Sequence, residues 1–180
     1  MSPLYFSLFF LFYLFQLSLS VDRHQTTTGG NFNGPKFLGY NNPVNVDFTL
    51  EDINIPLSSQ ALVLLMVYMT HNSTGDLVIR LTPPSGNTVM VSNHRGGNYA
   101  NGFSDTIFSD MGLESVATFT FGPGKSASMV RPEEPFDFQN QNVNGKWIIS
   151  FEDTVEGQDG SVKQVIFGIQ GSKKETIQKS

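Results

Sequence analysis

The chain has 180 residues, with 16 acidic against 11 basic side chains, a formal charge of -5 and no cysteine. That length suits one domain with a sizeable core and is too short for a substantial catalytic domain with an accessory one attached. The missing thiols exclude disulfides, thiolate metal sites and thiol catalysis, and so few dispersed Lys and Arg side chains argue against a nucleic-acid surface.

Residues 1–20 read as a secretory signal. Leu4 to Leu19 is almost unbroken apolar sequence without a charge, and Ser18 and Ser20 put small residues at the positions that precede a cut before Val21. An uncleaved anchor is the competing reading, but the segment is short for a membrane span and lacks a basic flank. The expected location is therefore secreted or the lumen of the secretory pathway, with no membrane span in the mature chain. Residues 21–43 contain TTTGGNFNGP and GYNNP, which predict a flexible arm or linker. Phe32, Phe37, Leu38 and Tyr40 offer anchors should this arm lie along the domain.

From Val44 the pattern is β. The runs VNVDFTL, ALVLLMVYM, LVIRLT, TVMVS, DTIF, VATFTF, SMV, WIISFED and VIFGI are short, branched or alternating, and separated by Gly, Pro, Asn and Asp. Such runs predict an all-β, antiparallel, jelly-roll-like sandwich of about eight or nine strands over residues 44–171. DMGLESVA, from Asp110 to Ala117, has room for one helical turn, and EEPFDF reads as an irregular approach to the last strands. Without helices following strands, a doubly wound nucleotide fold is not expected. Residues 172–180 form a polar tail.

Several stretches carry letters that chemistry could use. His71 with Asp76 or Asp105 and one of Ser85, Ser92 or Ser126 would supply a base, an acid and a nucleophile, but no serine stands in a strand-to-helix elbow. The expected catalytic set is thus empty: His71 is read as a hydrogen-bonding group at a strand end, and Asp76 as an anchor whose carboxylate accepts backbone N–H groups across a turn. Gly122 to Ser126, GPGKS, lacks the upstream glycine of a phosphate loop and reads as a turn. His24, His71 and His94 are too scattered for zinc. Calcium is the candidate ion, with Asp105, Asp110 and Asp153 as its candidate ligands; further acidic groups stand at Asp47, Glu51 and Asp52 and at Glu156 and Asp159. Asn72-Ser73-Thr74 is a glycosylation sequon, and its use would require the residues after His71 to lie at the surface of a secreted product. Trp147, the sole tryptophan, is expected to plug the sandwich rather than stack on a sugar. Phe119, Phe121, Phe151 and Phe167 fit inward positions of alternating strands.

The order of these motifs resembles the P domain, also called the Homo B domain, that follows the subtilisin-like catalytic domain in kexin- and furin-type proprotein convertases and in several bacterial proteases. Thr70-His71, Gly75-Asp76-Leu77 and Pro84-Ser85-Gly86 carry the first motif, with Pro83 where the family has Ser. Val91 to Gly97 (VSNHRGG) is similar to the second. Phe138, Asn144-Gly145-Lys146-Trp147 and the strand ending in Asp153 are similar to the closing one, followed by Gly160, Val162, Phe167 and Ile169. Val165 stands where a second Trp is common, and Gln139-Asn140 replaces an Asn-Gly; both departures bear on packing and partner contacts. The resemblance covers Asp47 to Gly171. It implies a galactose-binding-domain-like jelly roll without catalytic residues, calcium in some bacterial members, and an accessory or stabilising role for a separate subtilisin-like peptidase or another extracellular protein. The alternative is an extracellular carbohydrate-binding or adhesive sandwich, with sites near Asn93 to Phe103 and Asn140 to Trp147.

Overall fold

The computed structural model describes residues 25–51, 53–54 and 62–173. The expected signal (1–20), the first residues of the arm and most of the polar tail lie outside them, as does His24.

Among the described residues ten strands form two sheets. They are β1 (Gln25–Leu38), β2 (Val44–Leu50), β3 (Ile53–Asn54), β4 (Leu62–His71), β5 (Leu77–Thr82), β6 (Val89–Asn93), β7 (Thr106–Phe108), β8 (Met129–Val130), β9 (Gly145–Asp153) and β10 (Gly160–Lys173). One sheet has six strands in the order β1-β10-β4-β7-β8, with β3 paired to β10; the other has four in the order β2-β9-β5-β6. All pairings are antiparallel except β7 with β8. The all-β, jelly-roll-like sandwich expected from the turn spacing is present. Among the described residues no helix is long and apolar enough to cross a membrane, and the apolar run Leu62–Met69 is part of β4.

Alternation dictates which side chains meet between the sheets. VNVDFTL in β2 buries Val44, Val46, Phe48 and Leu50 and exposes the residues between them, because successive side chains of a strand point to opposite faces. β9 does the same with Trp147, Ile149, Phe151 and Asp153. Trp147 sits at the centre: its ring meets Phe138 edge-on at 4.9 Å and Phe167 at 5.0 Å, and its indole N–H donates to the Val143 carbonyl at 2.9 Å. Val165, in the place of a second Trp, is buried opposite Val67 of β4. A fully buried side chain of this size contributes about 1.5–3 kcal/mol.

Two expectations need correcting. Residues 25–38 are not an arm: β1 pairs with β10 from Gln25 to Leu38, with a bulge between Asn33 and Lys36. Its glycines, which suggested flexibility, permit close approach. A Cβ at Gly30 would occupy the space filled by the Phe48 ring. VATFTF is not a strand either. The chain turns there, with the Thr118 and Phe119 N–H groups donating to the Ser115 carbonyl, so Phe119 and Phe121 lie half-buried against the core from a loop. Phe151 and Phe167 do point inward from strands.

Candidate functional site

Antiparallel pairing of β5 with β9 sets Leu77 opposite Asp153. The Gly-Asp-Leu motif and the closing aspartate are therefore neighbours at one end of the sandwich. β4 delivers His71 to the same end from the other sheet. His71 Nε2 lies 3.3 Å from Asp153 Oδ2, with side-chain exposures of 1% and 0%. The two atoms form no hydrogen bond with each other, and neither has another hydrogen-bond partner among the described residues. His71 Nδ1 is 2.7 Å from the Ser73 carbonyl oxygen and 3.2 Å from the Ser73 nitrogen, and Asp153 Oδ1 accepts the Val155 N–H.

Loops from further along the chain close this end. Asn101 holds the main chain of His71 from both sides, its N–H donating to the His71 carbonyl at 2.9 Å and its Oδ1 accepting the His71 N–H at 3.2 Å. Thr74 Oγ1 donates to the Tyr99 carbonyl at 2.6 Å and accepts the Gly102 N–H at 2.8 Å. The Gly75 N–H donates to the Gly97 carbonyl, which gives the Arg95-Gly96-Gly97 turn its place. Asp76 anchors through its main chain and not, among the described contacts, through its carboxylate. Its carbonyl accepts Thr154 N–H and Oγ1–H, and its N–H closes the short turn Thr74–Asp76 onto the Ser73 carbonyl. Gly160 completes the packing, because a Cβ there would collide with the Thr70 carbonyl and crowd the His71 ring.

The remaining motif residues meet at the far ends of β5 and β9. Gly86 adopts a left-handed backbone in the Pro84-Ser85-Gly86 turn, closed by its N–H on the Pro83 carbonyl. Ser85 Oγ donates to Gln141 Oε1, and Gly145 lies against Pro84 just after Asn144.

No hydrolytic centre is assembled from these groups. Ser73 reaches the His71 ring through its main chain, Ser92 is buried, and Ser85 is engaged with Gln141 in the far turn. GPGKS forms a tight turn with the Lys125 N–H on the Gly122 carbonyl. Among the described residues no three His, Asp or Glu side chains gather as a metal-binding group. Asp153 faces His71, Asp105 is exposed with a left-handed backbone, and Asp110 accepts the Phe136 N–H. Burial pushes the Asp110 carboxyl above its ordinary range, aided by Asp137 and opposed by the Phe136 N–H and Arg131. Asp47 pairs with Lys146 at 2.8 Å. Asn72 is exposed, but Ser73 and Thr74 of the same sequon are buried, against the expectation that the residues after His71 lie at the surface. Trp147 and Phe103 are buried, so neither offers a face to a sugar.

Sequence reasoning missed Asn101, Tyr99 and Arg131. The first two act largely through main-chain groups of a loop that no motif marks. Arg131 donates to the Gly112 and Leu113 carbonyls at 3.0 Å each, fixing a loop whose tip exposes Leu113 by 97% and Met111 by 66%, with Met129 of β8 36% exposed.

Residues 61–168 match the family described as the proprotein convertase P-domain. No curated protein matches the chain. Among solved structures, the Aeromonas sobria serine protease in complex with its chaperone is 14% identical, with a TM-score of 0.51 over 89% of this chain and 29% of that one. The serine protease of Aeromonas sobria is 14% identical, with a TM-score of 0.51 over 87% of this chain and 29% of that one. At this identity the likeness is one of fold, and the chain spans under a third of the length of these proteins.

Proposed function

The chain belongs to the proprotein convertase P-domain family, and from that premise we propose that it is a secreted accessory module that stabilises a separate subtilisin-like serine peptidase, or another extracellular protein, by contact. One observation carries this reading. His71, the histidine a hydrolase would use as its base, is buried against Asp153 where no substrate reaches. What the domain offers a partner is surface, and the loop held by Arg131 carries exposed apolar side chains, Met111 and Leu113, with Met129 exposed on β8. Large apolar side chains left exposed on a small domain favour association.

Recovery of the protein with its partners from a secreted fraction, and the thermal stability of a co-secreted subtilisin-like peptidase with and without it, test the reading. Co-purification of a peptidase whose melting temperature falls when the domain is removed is the expected result. A free monomer that alters no peptidase overturns it.

A carbohydrate-binding or adhesive surface is the second reading, and one observation favours it. A groove of about 480 Å³ lies between the edge strands β1 and β2, lined by Asn31, Phe32, Lys36, Asn45, Asp47 and Thr49 among others. Amides, a carboxylate and a ring edge suit polyhydroxylated ligands. A glycan array on which wild type and Asp47→Ala give the same empty pattern retires it.

A further inference from the structure

The sequon Asn72-Ser73-Thr74 sits in the middle of the closed end, and its three residues have different fates. Asn72 is exposed. Ser73 and Thr74 are buried, Thr74 to 1% exposure. The Thr74 hydroxyl, the group that makes this tripeptide an acceptor, has its proton directed to the Tyr99 carbonyl at 2.6 Å and a lone pair occupied by the Gly102 N–H at 2.8 Å. Its main chain is fixed as well: the Thr74 N–H donates to the Tyr99 carbonyl, and the Ser73 carbonyl receives the Asp76 N–H. Asn72 itself donates its backbone N–H to the Asp159 carbonyl at 3.3 Å. A transferase that must bind the tripeptide together with its hydroxyl would have to break all of these contacts.

Every partner that closes the tripeptide from outside the turn lies downstream of it. Tyr99 and Gly102 follow Thr74, and Asp153, Asp159 and Gly160 come far later, as does β10, the strand on which β4 is registered. During synthesis at roughly 5–20 residues per second, the acceptor therefore precedes the groups that bury it by on the order of ten seconds. Non-local strand pairing lengthens that interval.

We propose that Asn72 is N-glycosylated on the unclosed chain and that folding then seals the acceptor, so occupancy at Asn72 records how long the closed end took to form. The transfer needs a lipid-pyrophosphate-linked oligosaccharide as donor. The Asn72 amide nitrogen forms a bond to the anomeric carbon, the bond from that carbon to the pyrophosphate oxygen breaks, the amide loses one proton to a base of the transferase, and the lipid pyrophosphate leaves with the electron pair. The proposal shares with the proposed function only the lumenal location, and no partner enters it.

Two measurements test it. The full chain is translated with endoplasmic-reticulum microsomes, under its own leader and, in parallel, under an unrelated secretory leader. One glycan is expected under both, lost in Asn72→Gln and in Thr74→Ala and retained in Thr74→Ser. A glycan under the unrelated leader alone overturns the lumenal location and leaves the sealing intact; none under either overturns the site. The second measurement gives solubilised oligosaccharyltransferase and lipid-linked oligosaccharide to the folded, unglycosylated full chain and to the loosened variant Asp153→Ala. The folded chain is expected to gain glycan at least tenfold more slowly than the variant. Equal rates, or no modification of the variant, overturn the sealing.

Discussion

The end of the sandwich closed by His71 and Asp153 and the edge loop held by Arg131 teach opposite lessons about polar and apolar letters. At the closed end, histidine, aspartate, serine and threonine are buried and joined across two sheets, so side chains that resemble a hydrolase kit hold the fold together. At the edge, Met111 and Leu113 carry no recognisable motif and stand exposed on a loop whose carbonyls are pinned by one guanidinium. Chemistry-bearing residues mark structure here, and unremarkable ones mark the surface available for contact.

The sharpest way to break this comparison is to remove one partner of the buried pair. Asp153→Ala leaves the His71 ring facing an empty, water-poor site and frees the Val155 N–H, which predicts a loss of about 3–5 kcal/mol in urea unfolding. His71→Ala should cost a similar amount. The double variant should cost clearly less than the sum, because the second substitution removes the group that the first left unpaired. Additive effects would mean that the two residues act separately.

Next in size is Thr74→Val, which keeps the shape and deletes the hydroxyl. It strands the Gly102 N–H in a buried site and leaves the Tyr99 carbonyl with the Thr74 N–H alone, and a loss of about 1–3 kcal/mol is expected from the same measurement. The edge loop should behave in the reverse sense. Leu113→Asp touches a side chain already in water, so stability should stay within about 0.5 kcal/mol while capture of the partner falls. If Leu113→Asp unfolds the domain, or leaves capture unchanged, the edge is not the contact surface.

These magnitudes also explain what could be read in advance. Alternation is a local property, so β2 and β9 were legible residue by residue, and the ordered motifs pointed to the family. The pairing of His71 with Asp153 was not legible, because it depends on β4 of one sheet and β9 of the other ending at the same place, which no local pattern fixes. VATFTF alternates as a strand should, yet no sheet edge receives it and its main chain turns on Ser115. β1 failed in the other direction: its Gly and Asn content resembled a linker, whereas Gly30 is there for the approach of Phe48. Asn101 and Tyr99 act through loop geometry, for which composition carries no signal.

The smallest expected effect concerns a third ion pair, near the turn that the closed end shares with β6. Glu133 accepts from the Arg95 guanidinium and from the Asn93 N–H. Burial pushes its carboxyl up, but the Arg95 hydrogen bond, the Asn93 N–H and the Arg95 and His94 charges outweigh it, so the folded value lies below the ordinary 4.5. The folded state then holds fewer protons than the unfolded one between that lowered value and 4.5, and stability from this group is fully present above 4.5 and lost as pH falls through the folded value. Asp110 has the opposite sign: its raised carboxyl favours the folded state at low pH, and that contribution is lost as pH rises from 3.8 through the folded value. Because the Arg95 side chain is 40% exposed and water screens the pair, Glu133→Gln should cost under about 1 kcal/mol at neutral pH. The difference between wild type and Glu133→Gln should shrink toward zero as unfolding is measured at pH values descending below 4.5, while the Asp153→Ala deficit at pH 7 stays several-fold larger. A Glu133→Gln deficit that persists unchanged in acid would show that Glu133 holds the Arg95 turn by shape and hydrogen bonding alone, and would move that turn from the electrostatic to the packed side of the comparison.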